Sequence, residues 1–298
     1  MNVRGFSGRI GLGDRGIWRP ETVGIIGLGS VGRALAKLLS SAVGLVYHDI
    51  HPGRCREAAE SYGGYCLGDL HSVVRAADYT IVATPPSQSR RLILEAVRIA
   101  RSEGAGSRVI SDTLTFKKRV ADLYSRTGNH PVVIGIHPLF SSRISNPRKH
   151  MLVVASYSGV EYYVAAIKKL FTDAGLNVIE MTPDEHDIEV ARTIGLSYLL
   201  GQLARHAIQR MGGSSMLAST TYRLVEVLSG SIASDSCSLV EEILSDEDVK
   251  RLVIPAVEEA LKAIKEESSL ACGEEGSGFY ESLYCMVENC VGYDGRGS

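Results

Sequence analysis

One segment constrains the fold more than any other. Val23-Gly24-Ile25-Ile26-Gly27-Leu28-Gly29-Ser30-Val31-Gly32 is a short β-branched run that passes directly into G-x-G-x-x-G, and Arg33 to Leu39 continues with helical periodicity. In such a unit the first glycine permits a tight turn, the second lets the backbone approach a phosphate, and the third allows the helix to pack closely on the strand. The helix N-terminus then offers amide donors to an anion. A second apolar run, Gly44 to His48, ends at Asp49, 17 residues after Gly32, where a carboxylate can take the hydroxyls of a ribose. Gly27, Leu28, Gly29, Ser30, Val31, Gly32 and Asp49 therefore read as a dinucleotide site. A carboxylate repels a 2′-phosphate, which favours NAD over NADP. Arg54 and Arg56 follow closely and suit a 2′-phosphate, so NADP stays open.

The rest of the N-terminal half repeats the strand-helix alternation of βαβ units. Strands are expected at Thr22–Ile26, Gly44–His48, Tyr79–Ala83, Arg108–Ser111, Val132–Ile136, Met151–Ala155 and Asn177–Met181, with a short one at Gly64–Cys66. Helices are expected at Gly32–Leu39, Gln88–Ala100, Phe116–Ser125 and Val160–Asp173. Beyond Pro183 the strands cease, and helical patterns cover Asp184–Ile208, Met216–Leu228, Ser238–Leu244 and Asp246–Glu266. The expected class is α/β: a Rossmann-type, doubly wound, mostly parallel sheet followed by an all-helical domain. Its divisions are a flexible extension at 1–20, a dinucleotide-binding domain at 21–182 and a helical substrate and dimerisation domain at 183–298. The largely apolar run Ile194–Leu203 needs a partner surface, and a homodimer through the helical domain would supply one.

Charge excludes some partners. The 32 basic and 34 acidic residues are mixed along the chain and sum to −2, so neither nucleic acid nor an anionic membrane is favoured. No run approaches the length of a membrane span, the first twenty residues lack an apolar signal core, and a cytoplasmic location is expected. Cys55, Cys66, Cys237, Cys272, Cys285 and Cys290 form no CxxC pair and no zinc spacing, so buried or idle thiols and no metal are expected. Cys285 and Cys290 are close enough in sequence to pair under oxidation, which a reducing compartment opposes.

Three strand ends carry the groups that chemistry needs. Thr84-Pro85-Pro86 forms an extended loop after one strand, at the sheet edge where dinucleotides lie, which adds Thr84 and Pro85 to the cofactor residues. Thr115 and His137 follow two further strands, so both face the same crevice. His137 is the chain's best acid-base candidate, because an imidazole takes a hydroxyl proton near neutral pH; a histidine before proline serves equally well as a structural group.

Taken together, these segments resemble the prephenate/arogenate dehydrogenase family over nearly all of Thr22 to Leu244. The match rests on the glycine motif with its acidic second strand, on Asp112, Thr115 and Lys117 as Asp-x-x-Ser/Thr-x-Lys, on Gly135 to Phe140 as Gly-x-His-Pro, and on Thr182-Pro183-Asp184-Glu185-His186-Asp187. The resemblance implies NAD-dependent oxidative decarboxylation of prephenate to 4-hydroxyphenylpyruvate, a step of tyrosine biosynthesis, with arogenate as the alternative substrate. It also implies that His137 takes the ring hydroxyl's proton, that Thr115 holds that hydroxyl against the nicotinamide, and that His186, Tyr198, Arg223 and Arg205 bind substrate. The chain departs from the family pattern at Tyr198, where many members carry histidine, and at Ser231, where an arginine often sits. Two other readings share the silhouette. A β-hydroxyacid dehydrogenase or imine reductase usually needs a helical-domain lysine, and Glu185 to Gln209 contains none. A non-catalytic NAD-sensing module would have no need of His137.

Overall fold

The computed structural model describes residues 18–103, 108–126, 131–213 and 217–266. The chain divides into two compact units, Met1–Asp187 and Ile188–Ser298.

In chain order the first unit comprises β1 Thr22–Ile26, α1 Ser30–Leu39, β2 Gly44–His48, α2 Pro52–Tyr62, β3 Tyr65–Cys66, α3 Leu70–Ala76, β4 Tyr79–Val82, α4 Pro86–Glu103, β5 Val109–Asp112, α5 Lys118–Arg126, β6 Val132–Pro138, β7 Met151–Ala155, α6 Glu161–Asp173 and β8 Asn177–Met181. All eight strands form one sheet in the order β3-β2-β1-β4-β5-β6-β7-β8. Every pairing is parallel except β6 with β7. The exception follows from the connection between them, residues 139–150, which contains one 3₁₀ turn and no α-helix and so provides no helical crossover.

Strand periodicity explains why both faces are covered. Val23, Ile25, Val132, Ile134 and Ile136 point into one apolar cluster, while their alternates Ile26 and Val133 join Val82 and Ile110 in a second. Between β1 and β4 the strand order reverses, which opens a crevice at their carboxyl ends.

Two features of this unit differ from expectation. The docked chain begins before Glu21: Trp18 is buried and packs edge-to-face on Tyr163, with ring centroids 5.4 Å apart. Residues 1–17 of the expected extension lie outside the described residues. Cys55 and Cys66 are not idle thiols but a disulfide, with Cα atoms 5.5 Å apart, tying α2 to the edge strand β3. Their spacing matches no local motif; parallel pairing of β3 with β2 brings α2 and β3 together. Cys237 is free and exposed, whereas Cys272, Cys285 and Cys290 fall outside the described residues.

Helix α7, Pro183–Val190, crosses the division between the units. The second unit continues with a π-helical turn Ala191–Gly195, α8 Leu196–Arg210, α9 Thr220–Ala233, α10 Cys237–Ser245, a second π turn Val249–Val253 and α11 Ile254–Lys265. The single helix expected over Asp184–Ile208 is thus interrupted by a wide turn. The second π turn precedes Pro255, which lacks the N–H that an unbroken α-helix would need there. Among the described residues, no helix is long and apolar enough to cross a membrane.

Candidate active site

The glycine turn is built as its sequence requires. Gly27 has φ +92°, a left-handed value costly for other residues, and a Cβ there would lie 2.5 Å from the carbonyl of Ala83 in the neighbouring strand's exit loop. At Gly32 a Cβ would overlap the carbonyl of Gly27, so the helix approaches the turn as closely as a glycine allows. Gly29 differs: a Cβ would meet nothing within 4 Å. The space beside the start of α1 is open, and no side chain caps that helix. Its first-turn amides are therefore left for an anion, as a pyrophosphate requires.

Asp49 lies at the end of β2 and is 8% exposed. Its Oδ2 accepts from the Leu28 amide at 2.7 Å and its Oδ1 from the His51 amide at 2.8 Å, which fixes the carboxylate against the turn. Each oxygen keeps a further lone pair, so the group fits a ribose diol as well. Ser30 Oγ accepts from the Ser142 amide at 3.2 Å. Thr84 Oγ1 lies 3.1 Å from Ser89 Oγ, and Pro85 opens α4 through its carbonyl. Arg54 and Arg56 are exposed on α2.

A second polar site is assembled at the carboxyl ends of β5 and β6, and this one is closed. Asp112 and Gly135 are register partners on those strands. The Lys117 ammonium, wholly buried, donates to Asp112 Oδ1 and to the Ile136 carbonyl, each at 2.7 Å, while the Tyr124 hydroxyl donates to Asp112 Oδ2 at 2.5 Å. Gly135 leaves room for this cluster, since a Cβ would collide with the Tyr124 hydroxyl and lie 2.9 Å from Lys117 Cδ. Burial pushes the Lys117 amine down, with Asp112 opposing, and pushes the Tyr124 phenol well up, reinforced by Asp112. Tyr124 thus stays a donor.

Above this cluster lies His137, 7% exposed, on the same strand face as Gly135. Its Nδ1 is 3.0 Å from His186 Nε2, and His186 Nδ1 is 2.7 Å from Asp187 Oδ1. His186 and Asp187 are each 1% exposed. The local sequence explains how they arrive there. Thr182 and Glu185 form a reciprocal capping box, with the Thr182 amide donating to Glu185 Oε2 at 2.9 Å and the Glu185 amide to Thr182 Oγ1 at 3.3 Å. That starts α7 so that its first turn presents the adjacent His186 and Asp187. Asp187 then receives the Lys117 amide on Oδ1 at 2.7 Å and the Lys118 amide on Oδ2 at 2.8 Å, capping the N-terminus of α5.

The chain of contacts fixes both tautomers. A carboxylate only accepts, so His186 Nδ1 carries a proton toward Asp187. In neutral His186, Nε2 is then an acceptor, and His137 Nδ1 must donate to it. His137 Nε2 is left with its lone pair, as a general base needs. Burial holds His137 well below the ordinary imidazole pKa, with Lys117 and His186 adding to the effect. His186 is also lowered by burial, but Asp187 works against that.

Of the residues expected to carry chemistry, Thr115 lies half-buried in the bend before Lys117, and His137 and His186 share the closed site. His186, expected to touch substrate, has both ring nitrogens engaged by His137 and Asp187. Tyr198, Arg205 and Arg223 belong to the helical unit. The Tyr198 hydroxyl donates to Asp235 Oδ2 at 2.6 Å; Arg205 is exposed and Arg223 half-buried. Sequence reasoning gave no role to Asp112, Lys117, Tyr124 or Asp187, although the motif segments contained all but Tyr124.

Comparison with known proteins fits this geometry. Residues 17–106 match the family model of the NAD binding domain of D-isomer specific 2-hydroxyacid dehydrogenases. No curated protein sequence matches the chain significantly. Among solved structures, prephenate dehydrogenase from A. aeolicus, in complex with hydroxyphenyl propionate and NAD+, is similar with TM-score 0.67 and 18% identity over 90% of this chain and 97% of that one. Synechocystis arogenate dehydrogenase is similar with TM-score 0.63 and 18% identity over 91% and 98% of the two chains. Mycobacterium tuberculosis 3-hydroxyisobutyrate dehydrogenase follows with TM-score 0.51 and 14% identity over 90% and 94%. The chain therefore has a Rossmann-type fold followed by a helical domain, with its glycine turn inside a segment that matches an NAD binding domain. Within that class, its structural neighbours include the prephenate and arogenate dehydrogenases that its motifs resemble.

Proposed function

We propose that the protein is an NAD-dependent oxidoreductase that converts prephenate to 4-hydroxyphenylpyruvate and carbon dioxide. The observation that carries this reading is His137: buried, neutral, with Nδ1 committed to His186 and the Nε2 lone pair left for a substrate proton. NAD, when bound, accepts the hydride lost by the ring carbinol carbon. Gly27 to Gly32 and Asp49 hold the dinucleotide, and the uncapped N-terminus of α1 receives its phosphates. Thr115 orients the ring hydroxyl, and His137 Nε2 takes the hydroxyl proton as the carbonyl forms. The ring carboxylate then leaves as carbon dioxide, its bonding electrons enter the ring, and the ring oxygen regains a proton. Aromatisation drives the sequence, so the chain's task is orientation and proton handling.

Arg223, with Arg205 next, is assigned to the substrate carboxylates on the strength of the motif resemblance, and Tyr198 is the helical unit's further polar contact. Arogenate differs from prephenate in its side chain and asks the same of His137. Steady-state rates with prephenate and arogenate, each with NAD and with NADP, test the reading: turnover of prephenate with NAD is expected to dominate, and absence of turnover in all four combinations would sink it. A homodimer is part of the proposal, because Leu200 and Leu203 on α8 are 40% and 48% exposed. Sedimentation that shows monomer alone at micromolar concentration would remove that part.

A further inference from the structure

We propose that His186, backed by Asp187, is a closed proton store for His137: it receives the Nδ1 proton of His137 while the substrate proton arrives at Nε2, and returns it before product leaves. The inference rests on the proposed reaction and deepens it.

Three observations carry it. The contacts His137 Nδ1 to His186 Nε2, 3.0 Å, and His186 Nδ1 to Asp187 Oδ1, 2.7 Å, form a continuous proton path whose tautomers are fixed from the Asp187 end. The path has no exit, because His186 and Asp187 are each 1% exposed and the remaining oxygen of Asp187 is occupied by the Lys118 amide. The charges around it are also unequal. Lys117 opposes a positive charge on both rings, but among the described residues only His186 has a carboxylate in contact, that of Asp187, so an imidazolium is better placed on His186.

A path without an exit would be useless for a reaction that released a proton to solvent. Oxidative decarboxylation of this kind releases none. The hydroxyl proton is removed as hydride leaves the carbinol carbon, and once carbon dioxide has gone the ring oxygen takes a proton back. Prephenate and NAD+ give 4-hydroxyphenylpyruvate, carbon dioxide and NADH with protons balanced. During the first half, the substrate O–H proton bonds to His137 Nε2, the His137 N–H at Nδ1 passes to His186 Nε2, and His186 becomes the imidazolium paired with Asp187. In the second half both transfers reverse. His186 is thus a positioning residue that also holds charge, and it acts only through His137.

A conservative substitution separates holding from positioning. His186→Gln leaves a carbonyl oxygen that can accept the His137 N–H, keeping its tautomer, but that oxygen cannot take the proton; His186→Leu removes both. With folding and NADH affinity unchanged, the store predicts that His186→Gln lowers kcat by about tenfold or more while KM stays put, with His186→Leu lower still. It also predicts that the dependence of kcat on deuterium fraction is bowed in the wild type, two protons moving, and straight in His186→Gln. Wild-type kcat in His186→Gln, or a straight plot in the wild type, would overturn the store. Nitrogen-15 NMR of the histidine rings in the substrate-free full chain gives an arm that needs no turnover: a proton on His137 Nδ1 supports the path, and one on Nε2 overturns it. If neither prephenate nor arogenate is turned over, the reaction reading fails, while the ring tautomers still decide whether the path exists.

Discussion

The two sites of the first unit stand a few strands apart on one sheet and are built on opposite plans. The glycine turn after β1 is open: a Cβ at Gly29 would touch nothing, and the amides at the start of α1 carry no cap. The His137 site at the end of β6 is closed, with the side chains of Asp112, Lys117, Tyr124, His186 and Asp187 hydrogen-bonded to one another, to His137 or to backbone. A site that must admit and release a dinucleotide leaves its donors unpaired until the ligand comes. A site that must hold one proton in a defined place spends its hydrogen bonds on itself, because a half-satisfied buried network would lose both position and stability.

That contrast can be broken at either end. The largest effect is expected at His137. His137→Asn removes the base and should lower kcat by about two to four decades with NADH affinity unchanged; an unaltered kcat would remove His137 from the chemistry. Next come the glycines. Gly29→Val should fold with nearly wild-type thermal stability yet lose about two decades or more of NAD affinity, because its side chain enters only ligand space. Gly32→Val should instead fail to fold stably, since its side chain meets the Gly27 carbonyl. Calorimetry and NADH fluorescence titration distinguish the pair, and equal behaviour of the two variants would refute the open-turn description.

A smaller effect is expected beneath the closed site. Gly135→Ala forces Tyr124 or Lys117 to shift and should cost about 1–3 kcal/mol in denaturant unfolding; no loss would show that the cluster is looser than described. The mildest is a pH slope. His137 and His186 have folded pKa values below the unfolded value near 6.5, so below that pH the unfolded chain binds protons that the native chain refuses. Stability is therefore full above about pH 6.5 and falls as the pH drops, by up to about 1.4 kcal/mol per pH unit for each histidine. His137→Asn should flatten that slope, and an unchanged slope would place the titration elsewhere.

The same contrast governs what could be read from sequence. The open site is local. Its turn, helix start and acid lie within Gly27 to Asp49, and each residue's duty follows from backbone geometry that spacing reveals. Most of the strands and helices were legible for a similar reason, since burial on both faces leaves continuous Val- and Ile-rich runs. The closed site is not local. Asp187 receives the amide of Lys117 from 70 residues away, and His137 meets His186 across 49. Spacing marked these residues through motif resemblance, but only the three-dimensional path shows that His186 faces His137 rather than standing free. The Cys55–Cys66 disulfide and the antiparallel β7 were hidden in the same way, by pairings that the sheet decides.

Product stoichiometry from prephenate and NAD with the purified full chain tests the proposed oxidative decarboxylation. One NADH and one carbon dioxide are expected per 4-hydroxyphenylpyruvate formed. NADH formed without carbon dioxide, or neither formed from prephenate or arogenate, would contradict it.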